Sequence, residues 1–207
     1  MYENTVSCFS VTTEQPTKED IWDSSMADLS NTPYRSYKKW VFQGGTSTPF
    51  ILTYGDTSKN KMKGEICRQP AHLIDILPTC MDLGHISYPD QFGHKDLPGR
   101  SLLPAAEGTV VEPRTLYFEH QSSCAIIDGT WKLVKADRNV QWELIDLSTD
   151  PFETHDLSSQ YPDKVEELET KWIEWANTHK VFPLENKPWT ARLNFYKQKN
   201  PNQKGED

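Results

Sequence analysis

Apolar and polar side chains alternate over most of the stretch 114–147. Period-two alternation with aromatic and β-branched residues is typical of half-buried strands. Residues 115–119 alternate in this way and are aromatic, residues 124–127 and 130–135 are β-prone, and residues 141–147 supply another strand. Asp128-Gly129 separates the second of these segments from the third, and Asp-Gly between two β-prone runs indicates a hairpin, because both turn residues need positive φ. The pattern therefore predicts an antiparallel sheet of about four strands.

The hydrophobic period then changes to that of a helix. Larger side chains share one stripe between Pro162 and Lys180: Val165, Leu168, Trp172, Trp175 and His179. Pro162 lies in the first turn with acidic residues after it, and Lys180 lies at the opposite end, as the rules for helix termini and the helix dipole favour. The sequence predicts an amphipathic helix over 162–180 that packs on the sheet and buries both tryptophans.

Apolar positions before residue 110 are more scattered. Phe50–Tyr54 is a short apolar run between chain breakers, which predicts a buried strand. Apolar side chains also recur at near-helical spacing between Pro70 and Gly84, which predicts a helix over 70–83. They are Ala71, Leu73, Ile74, Leu77 and Met81. Because a lone buried strand needs neighbours, this half is expected to be the last piece of a larger α/β sheet.

These patterns predict four segments along the chain. Residues 1–33 form a polar arm or insertion, which is expected to be poorly packed. Residues 34–110 form the last part of a large α/β domain, and residues 111–183 form a subdomain of sheet and helix. Residues 184–207 form a polar tail.

Composition narrows the class of protein. The chain has 207 residues, enough for one domain and a fraction, and its 11% aromatic content argues against wholesale disorder. The formal net charge is -8 and the basic residues are scattered, so no nucleic-acid partner is expected. No apolar run approaches the roughly 20 residues that span a bilayer. Residues 1–10 lack the features of a signal peptide, and the sequence assigns no compartment.

Familiar catalytic motifs are missing from the sequence, including the P-loop, the dinucleotide fingerprint, the serine-hydrolase elbow and the zincin helix. The cysteines lie far apart, at positions 8, 67, 80 and 124, and buried or free thiols are favoured over a disulfide framework. His72 and Asp75, one helical turn apart, could bind a metal or relay a proton. A structural hydrogen bond is the favoured interpretation.

Acidic residues cluster from the end of the last predicted strand onwards. They are Asp146, Asp150, Glu153 and Asp156. Their spacing lacks the glycine and the ligand density of a calcium loop, so a solvated acidic turn is favoured and no metal ligand is assigned.

A series of short motifs resembles the sulfatase family. The motifs occupy residues 30–35, 44–51, 72–79, 97–104, 114–120, 128–134, 142–147 and 150–154. The third, for example, is similar to the family's His-x-x-Asp-(Ile/Leu)-x-Pro-Thr helix, and the fifth to its Arg-x-Leu-Tyr-(Phe/Trp)-Glu-His strand. Each is weak alone, but their order and spacing from Asp20 to about Pro183 identify the chain as similar to the C-terminal portion of an arylsulfatase.

The resemblance implies a partial α/β fold of the alkaline-phosphatase-like type and the hydrolysis of sulfuric esters. Sulfatases use a formylglycine made from Cys/Ser-x-Pro-x-Arg and a calcium ion held by acidic residues and Asn. Neither segment occurs in this sequence. Calcium and formylglycine are therefore implied for the intact family, and the implied partner is the missing N-terminal sulfatase portion.

One active-site position of the family maps onto this sequence. The sulfate-contacting Lys lies six residues before the Gly-Gly pair, which is Lys38, and a compact point charge suits an anion. His120 is a candidate for substrate binding, although a core histidine is the favoured interpretation. Gln43 stands where the family usually has Glu. Ile127 stands where an Arg often precedes the hairpin turn.

Two hypotheses of function follow from the resemblance. The leading one is a sulfuric ester hydrolase, present as a C-terminal portion that is inactive alone, whose substrate is a sulfate-ester small molecule or a sulfated glycan. The alternative is a non-catalytic, anion-binding or accessory module derived from a sulfatase. Turnover of an aryl sulfate, as opposed to stabilisation by sulfate without turnover, separates the two.

Overall fold

The computed structural model describes residues 24–53, 62, 64–87 and 98–184. The predicted arm before residue 24 and the tail beyond residue 184 lie outside this part, so the prediction of a poorly packed arm stays a prediction. The chain forms two compact units, one of residues 1–48 with 117–207 and the other of residues 49–116. We call them the sheet unit and the middle unit. The four segments predicted above remain a prediction of domain organisation.

The helices and strands are numbered here in chain order. They are α1 (Ser24–Ser30), α2 (Gln43–Thr46), a 3₁₀ turn (Leu73–Asp75), α3 (Ile76–Leu83), α4 (Leu103–Ala106), β1 (Leu116–His120), β2 (Ser123–Asp128), β3 (Trp131–Lys135), β4 (Glu143–Asp146) and α5 (Pro162–Thr178). No helix in these described ranges is long and apolar enough to cross a membrane.

The predicted antiparallel sheet is confirmed. Its four strands lie in the order β1-β2-β3-β4. In the central hairpin Cys124 lies opposite Lys135 and Asp128 opposite Trp131, so strands β2 and β3 are in register up to the turn. Strand β4 continues the sheet, with Leu144 opposite Leu133. Alternating sequence and short connections are sufficient to account for this topology.

The turns differ from the prediction in their backbone conformation. Because Asp128 is already paired, the loop between β2 and β3 consists of Gly129 and Thr130, and of these two only Gly129 has positive φ, at 63°. The expectation of positive φ at both Asp128 and Gly129 is therefore wrong. The turn with two left-handed residues lies between β1 and β2, where Gln121 has φ 51° and Ser122 has φ 70°.

Helix α5 covers one face of the sheet. Its fully buried side chains are Leu168, Trp172 and Ala176, spaced by four residues, and they pack on Ile126 and Leu133 among others. The indole of Trp172 donates a hydrogen bond to the Phe118 carbonyl at 3.2 Å. The predicted packing of this helix is confirmed for Trp172, while Trp175 is half-buried and His179, beyond the end of α5, is exposed.

The opposite face of the sheet is covered by the chain just before α2. Val41 and Phe42 are buried there against Ala125, Val134 and Ile145. The amide of Val41 donates to Oγ of Ser123 at 3.2 Å, which ties the segment to β2. A sheet that is buried on both faces explains why β2 reads as a continuous buried run rather than a strict alternation.

The middle unit departs from the prediction. Residues 50–53 form no strand, and the side chains of Phe50 and Ile51 are 54% and 81% exposed, so the predicted buried strand is wrong over these four residues. Tyr54 lies outside the described residues. The predicted helix over 70–83 is present only from Leu73 onwards, as the 3₁₀ turn followed by α3, because the chain is extended at His72.

Candidate anion-binding loop

Lys38 lies in a loop, residues 35–46, that closes on itself through backbone contacts. The amide of Gly44 donates to the Arg35 carbonyl at 2.9 Å. The side-chain amide of Asn31 donates to the carbonyls of Ser36 at 3.0 Å and of Gly44 at 2.9 Å. A Cβ atom on Gly44 would lie 2.0 Å from the Ser36 carbonyl oxygen, so only glycine fits where the two ends of the loop meet.

The tip of the 35–46 loop is a turn over Tyr37–Trp40. The amide of Trp40 donates to the Tyr37 carbonyl at 2.8 Å. A Cβ atom on Gly45 would lie 1.8 Å from the Trp40 carbonyl oxygen, so the second glycine of the pair is what lets α2 approach this turn. Together the two glycines give the loop its shape, which is a physical reason for the Gly-Gly spacing that the sequence shows.

Two lysines lie in this turn and they differ in their surroundings. Both Lys38 and Lys39 are exposed. The ammonium of Lys39 lies 4.9 Å from the centroid of the Trp40 ring, at cation–π distance. Within the part of the chain that the structure describes, Lys38 forms no hydrogen bond or ion pair, so its charge is available to an anion.

Arg35 fastens the beginning of the loop to the sheet. Its guanidinium binds the Glu143 carboxylate through two hydrogen bonds of 2.5 and 3.1 Å. The same group lies over the Phe42 ring, 4.0 Å from its centroid. The hydrogen bond to Glu143 raises the pKa of Arg35, so the guanidinium stays charged and the planar pair is retained.

A second, fully buried ion pair fastens the end of the loop. Nζ of Lys132, on β3, lies 2.7 Å from Oε1 of Glu153, and both side chains are inaccessible to solvent. This contact is close, but Oε1 has no well-aligned hydrogen bond. The other oxygen, Oε2, accepts from the backbone amide of Gln43 at 2.6 Å. Burial lowers the pKa of Lys132, and the charge of Glu153 opposes that effect.

Gln43 completes this buried group. Its Oε1 accepts a hydrogen bond of 3.3 Å from Nζ of Lys132. The departure from the Glu that sulfatases usually have at this position thus has a local rationale. A second carboxylate here would share one buried ammonium with Glu153, whereas a neutral amide supplies an acceptor without a second negative charge.

His120 does not lie in the core. Its side chain is exposed at the end of β1, next to the turn that leads into β2, so the favoured interpretation as a core histidine is wrong. No contact joins His120 to Lys38 in the described ranges. The hypothesis that His120 contacts a substrate stays a prediction.

His72 and Asp75 form a structural pair, as favoured from the sequence. The Asp75 carboxylate accepts from the His72 amide at 2.8 Å, and Nδ1 of His72 accepts from the Ile74 amide at 3.2 Å, which caps the turn before α3. Asp75 is fully buried and binds Arg114 through both oxygens. Burial alone would raise the pKa of Asp75, but Arg114 and the amides of Arg100 and His72 outweigh it and hold that pKa below its ordinary value.

The acidic residues after β4 serve the backbone. Asp150 accepts from the amides of Thr154 at 2.7 Å and His155 at 2.8 Å. Asp156 accepts from the Leu144 amide at 2.9 Å. Glu153 is buried in the ion pair, so the interpretation of a solvated turn is wrong for that residue. No group of three or more His, Cys, Asp or Glu in the described ranges could hold a metal ion, so these residues do not fit calcium.

Three of the cysteines are described and all are free thiols. Cys67 and Cys80 are exposed, and Cys124 is buried. Burial raises the pKa of Cys124 to about 12. A thiol with that pKa has almost no thiolate near neutral pH, so Cys124 is not suited to be a nucleophile.

Comparison with known proteins decides the family. Residues 34–178 match the family model described as N-sulphoglucosamine sulphohydrolase, C-terminal. The chain belongs to the sulfatases. Its fold is the alkaline-phosphatase-like sulfatase fold, of which it contains the C-terminal sheet and helix.

Individual relatives agree with this assignment. The chain is 28% identical over 160 residues to a sulfatase of Schizosaccharomyces pombe, a match that covers 71% of this chain and 28% of the relative. It is 29% identical over 162 residues to arylsulfatase K of Danio rerio, covering 72% and 29%. A solved structure from Bacteroides thetaiotaomicron, described with the metabolism of multiple glycosaminoglycans, superposes with a TM-score of 0.54 at 26% identity, covering 70% and 32%. The chain thus spans less than a third of the length of each of these relatives.

The geometry of the 35–46 loop explains physically why the sulfatase motif contains two adjacent glycines. The charged groups that fasten the loop to the sheet were not found from the sequence. Lys132 and Glu153 lie 21 positions apart and look like surface residues in isolation. The available signal was the position of Lys132 in its strand, since it shares a side of β3 with Val134. A charge on the same side as a core residue indicates either a solvated edge or a buried pair.

Proposed function

We propose that this chain is the C-terminal part of a sulfuric ester hydrolase, and that it turns over sulfate esters only together with an N-terminal sulfatase portion. The observation that supports the proposal is the 35–46 loop, which is closed by two glycines and fastened to the sheet at both ends. It presents Lys38 to solvent with no competing partner among the described residues. That is the arrangement expected of a charge held in place for an anion.

The role proposed for Lys38 is to bind the sulfate group. In the intact family, formylglycine supplies the nucleophile and calcium stabilises charge, and this chain's described residues fit neither group. What the chain provides is a positive charge whose backbone is preorganised, so little reorganisation is needed when negative charge shifts during the reaction. Lys39 lies against Trp40 instead and is proposed to contribute little.

The proposed substrate class is a sulfate-ester small molecule or a sulfated glycan. The family model and the glycosaminoglycan context of the Bacteroides structure support the second of these. His120 remains the second candidate for substrate contact, because its exposed side chain is free to face one.

Turnover by a reconstituted enzyme tests the proposal. The chain would be fused behind the N-terminal part of Danio rerio arylsulfatase K, up to the matched segment, and assayed with an aryl sulfate. Lys38→Ala is expected to lower turnover by about 10²-fold or more, because one charge aimed at the reacting group is lost. Lys39→Ala is the matched control and is expected to change turnover only slightly. Equal, small losses in both variants would show that Lys38 is an ordinary surface lysine.

The alternative, an anion-binding module without chemistry, also has an observation in its favour, because Lys38 is exposed and forms no hydrogen bond or ion pair with the described residues. Thermal unfolding of the isolated chain with and without sodium sulfate tests whether the chain binds the anion, with sodium chloride at equal ionic strength as the control. Sulfate-specific stabilisation that is lost in Lys38→Ala, with no turnover in the fusion, would favour the module. Turnover by the isolated chain would contradict the proposed need for an N-terminal portion.

A further inference from the structure

Helix α3 is held to its own unit by polar groups. Asp75 and Thr79, one helical turn apart, are the buried residues of the turn and helix over 73–83. The hydroxyl of Thr79 donates to the Asp75 carbonyl at 2.6 Å and accepts from the Leu102 amide at 2.9 Å. Asp75 in turn binds Arg114 and the Arg100 amide. The inward side of this helix is therefore a hydrogen-bonded side.

The opposite side of the same helix is apolar and exposed. We call it the outer face of α3, and its members are Leu73, Ile74, Ile76 and Leu77. Leu73 is 79% and Leu77 is 51% exposed, and these two lie one turn apart, on the side opposite Asp75 and Thr79. An amphipathic helix normally has the reverse arrangement, with the apolar stripe inside. A contiguous apolar patch of this kind marks an interaction surface.

The packing of the turn before α3 excludes a simple rotation that would bury the outer face. Gly99 approaches so closely that a Cβ atom there would lie 1.9 Å from the Ile74 carbonyl oxygen. Rolling the helix would also separate the Asp75 carboxylate from Arg114 and leave two buried charges unpaired, which is strongly unfavourable. The orientation of α3 is thus fixed by its inner contacts.

The chemistry of the outer face defines its partner. Of the two acidic residues between Leu73 and Leu83, Asp75 is buried and Asp82 lies on the side of the helix away from Leu73 and Leu77, so the matching surface must itself be apolar. Two relatives and one solved neighbour extend well beyond the match, which covers 28%, 29% and 32% of their lengths. A sheet that is flanked by helices buries their apolar faces. The rest of a sulfatase is therefore an occupant of sufficient size.

We infer that the outer face of α3 is the surface on which this chain docks to the N-terminal α/β portion of a sulfatase. The inference rests on the proposed function, because it concerns the same partner, and it adds which residues form the interface. It makes α3 a helix of the interface between the two portions.

Amide hydrogen exchange at residues 76–83 tests the inference. The probe is the N-terminal part of Danio rerio arylsulfatase K, added as a separate polypeptide and, in parallel, fused to the chain. In the isolated chain these amides are expected to exchange fast, and in both joined forms to slow by about tenfold or more. Leu77→Glu is expected to leave the melting temperature of the isolated chain unchanged, since the side chain is 51% exposed, and to abolish the slowing. Val140→Glu, at a 46% exposed position of the sheet unit, is the matched control and should keep it.

Three outcomes would overturn the inference: no slowing in either joined form, slowing that persists in Leu77→Glu, or slow exchange in an isolated chain that sediments as a dimer, which would assign the face to a second copy. The assay also separates this inference from the proposed function. Slowing without turnover of a sulfate ester supports the interface and contradicts the function. Turnover in the fusion with fast exchange at 76–83 supports the function and overturns the interface.

Discussion

The two units of this chain are built on opposite principles. In the sheet unit, apolar side chains such as Ile126, Leu144 and Trp172 are buried between a sheet and a helix. In the middle unit, the buried side chains of the 3₁₀ turn and α3 are polar, and the leucines and isoleucines of these two elements face solvent. Hydrophobic burial is the main driving force of folding. The sheet unit therefore has a buried hydrophobic core of its own, whereas the apolar side chains of α3 in the middle unit stay exposed.

Buried ion pairs occur in both units but in different settings. The Lys132–Glu153 pair lies in the sheet unit, which also contains a buried apolar cluster. The Asp75–Arg114 pair is itself the centre of the contacts that hold α3. A buried charge pair can therefore add to an apolar core or stand in place of one, and mutations distinguish these cases.

The largest effect is expected from breaking the pair in the sheet unit. Glu153→Ala leaves the Lys132 ammonium buried without its partner, which should lower the free energy of unfolding by about 3–5 kcal/mol. Urea unfolding followed by tryptophan fluorescence measures this unit selectively, because none of the 7 tryptophans lies between residues 49 and 116. The double variant Lys132→Met with Glu153→Leu should restore most of the loss. A double variant as unstable as the single one would show that the pair is essential to the sheet.

The next largest effect is expected when the same substitution, Leu to Ala, is made in each of the two units. Leu144→Ala empties a fully buried site and should cost about 2–5 kcal/mol. Leu73→Ala removes a side chain that is 79% exposed and should change stability by no more than about 0.5 kcal/mol. Circular dichroism during urea unfolding reports on both variants. A large loss in Leu73→Ala would mean that the outer face of α3 is covered within the isolated chain.

The sheet unit could be predicted from the sequence because its signals are local. Period-two alternation, a Gly-containing turn and a stripe of large side chains each act over fewer than twenty residues. The backbone conformation of the turn between β1 and β2 could not be predicted in this way. Gln121 and Ser122 adopt positive φ without being Gly, Asn or Asp, so nothing in their identity indicates the left-handed region.

The middle unit and the candidate site were harder because their determinants are distant or external. An apolar run such as Phe50–Tyr54 fits two structures equally well: a buried strand within this chain, or a surface that contacts another polypeptide. The contacts of Arg35 with Glu143 and of Gln43 with Glu153 join residues 108 and 110 positions apart, which no local pattern can reveal. Lys38 was assigned by its spacing from the glycine pair, and the physical reason for that spacing became visible only in the closed loop.

A smaller effect, confined to the middle unit, is expected at acidic pH. The pKa of Asp75 in the folded chain lies below its ordinary value of 3.8, so the folded state binds this proton less readily than the unfolded one. Stability from the Asp75–Arg114 pair is therefore present above that ordinary value and is lost as pH falls through the lower, folded pKa. Hydrogen exchange at residues 76–83, corrected for intrinsic rates, should accelerate from about pH 5 to about pH 2. Asp75→Asn should remove this pH dependence, and its persistence in that variant would assign it to another group.

The smallest perturbation uses the cysteines as reporters that leave the fold intact. Cys80 lies exposed on α3 in the middle unit, Cys67 is exposed in the same unit, and Cys124 is buried in β2 with a pKa raised to about 12. Alkylation by iodoacetamide requires the thiolate, so at about pH 8 only about one Cys124 in 10⁴ would be reactive even if it were accessible. Peptide mass spectrometry should find Cys67 and Cys80 modified within minutes and Cys124 modified only when urea unfolds the sheet.

Joining the chain to the N-terminal portion should slow the alkylation of Cys80, because Cys80 lies between the apolar residues of the outer face. The alkylation rate of Cys67 should not change, so Cys67 serves as the internal reference. Equal rates at Cys80 and Cys124 in the native chain would contradict the contrast between an exposed helix and a closed sheet.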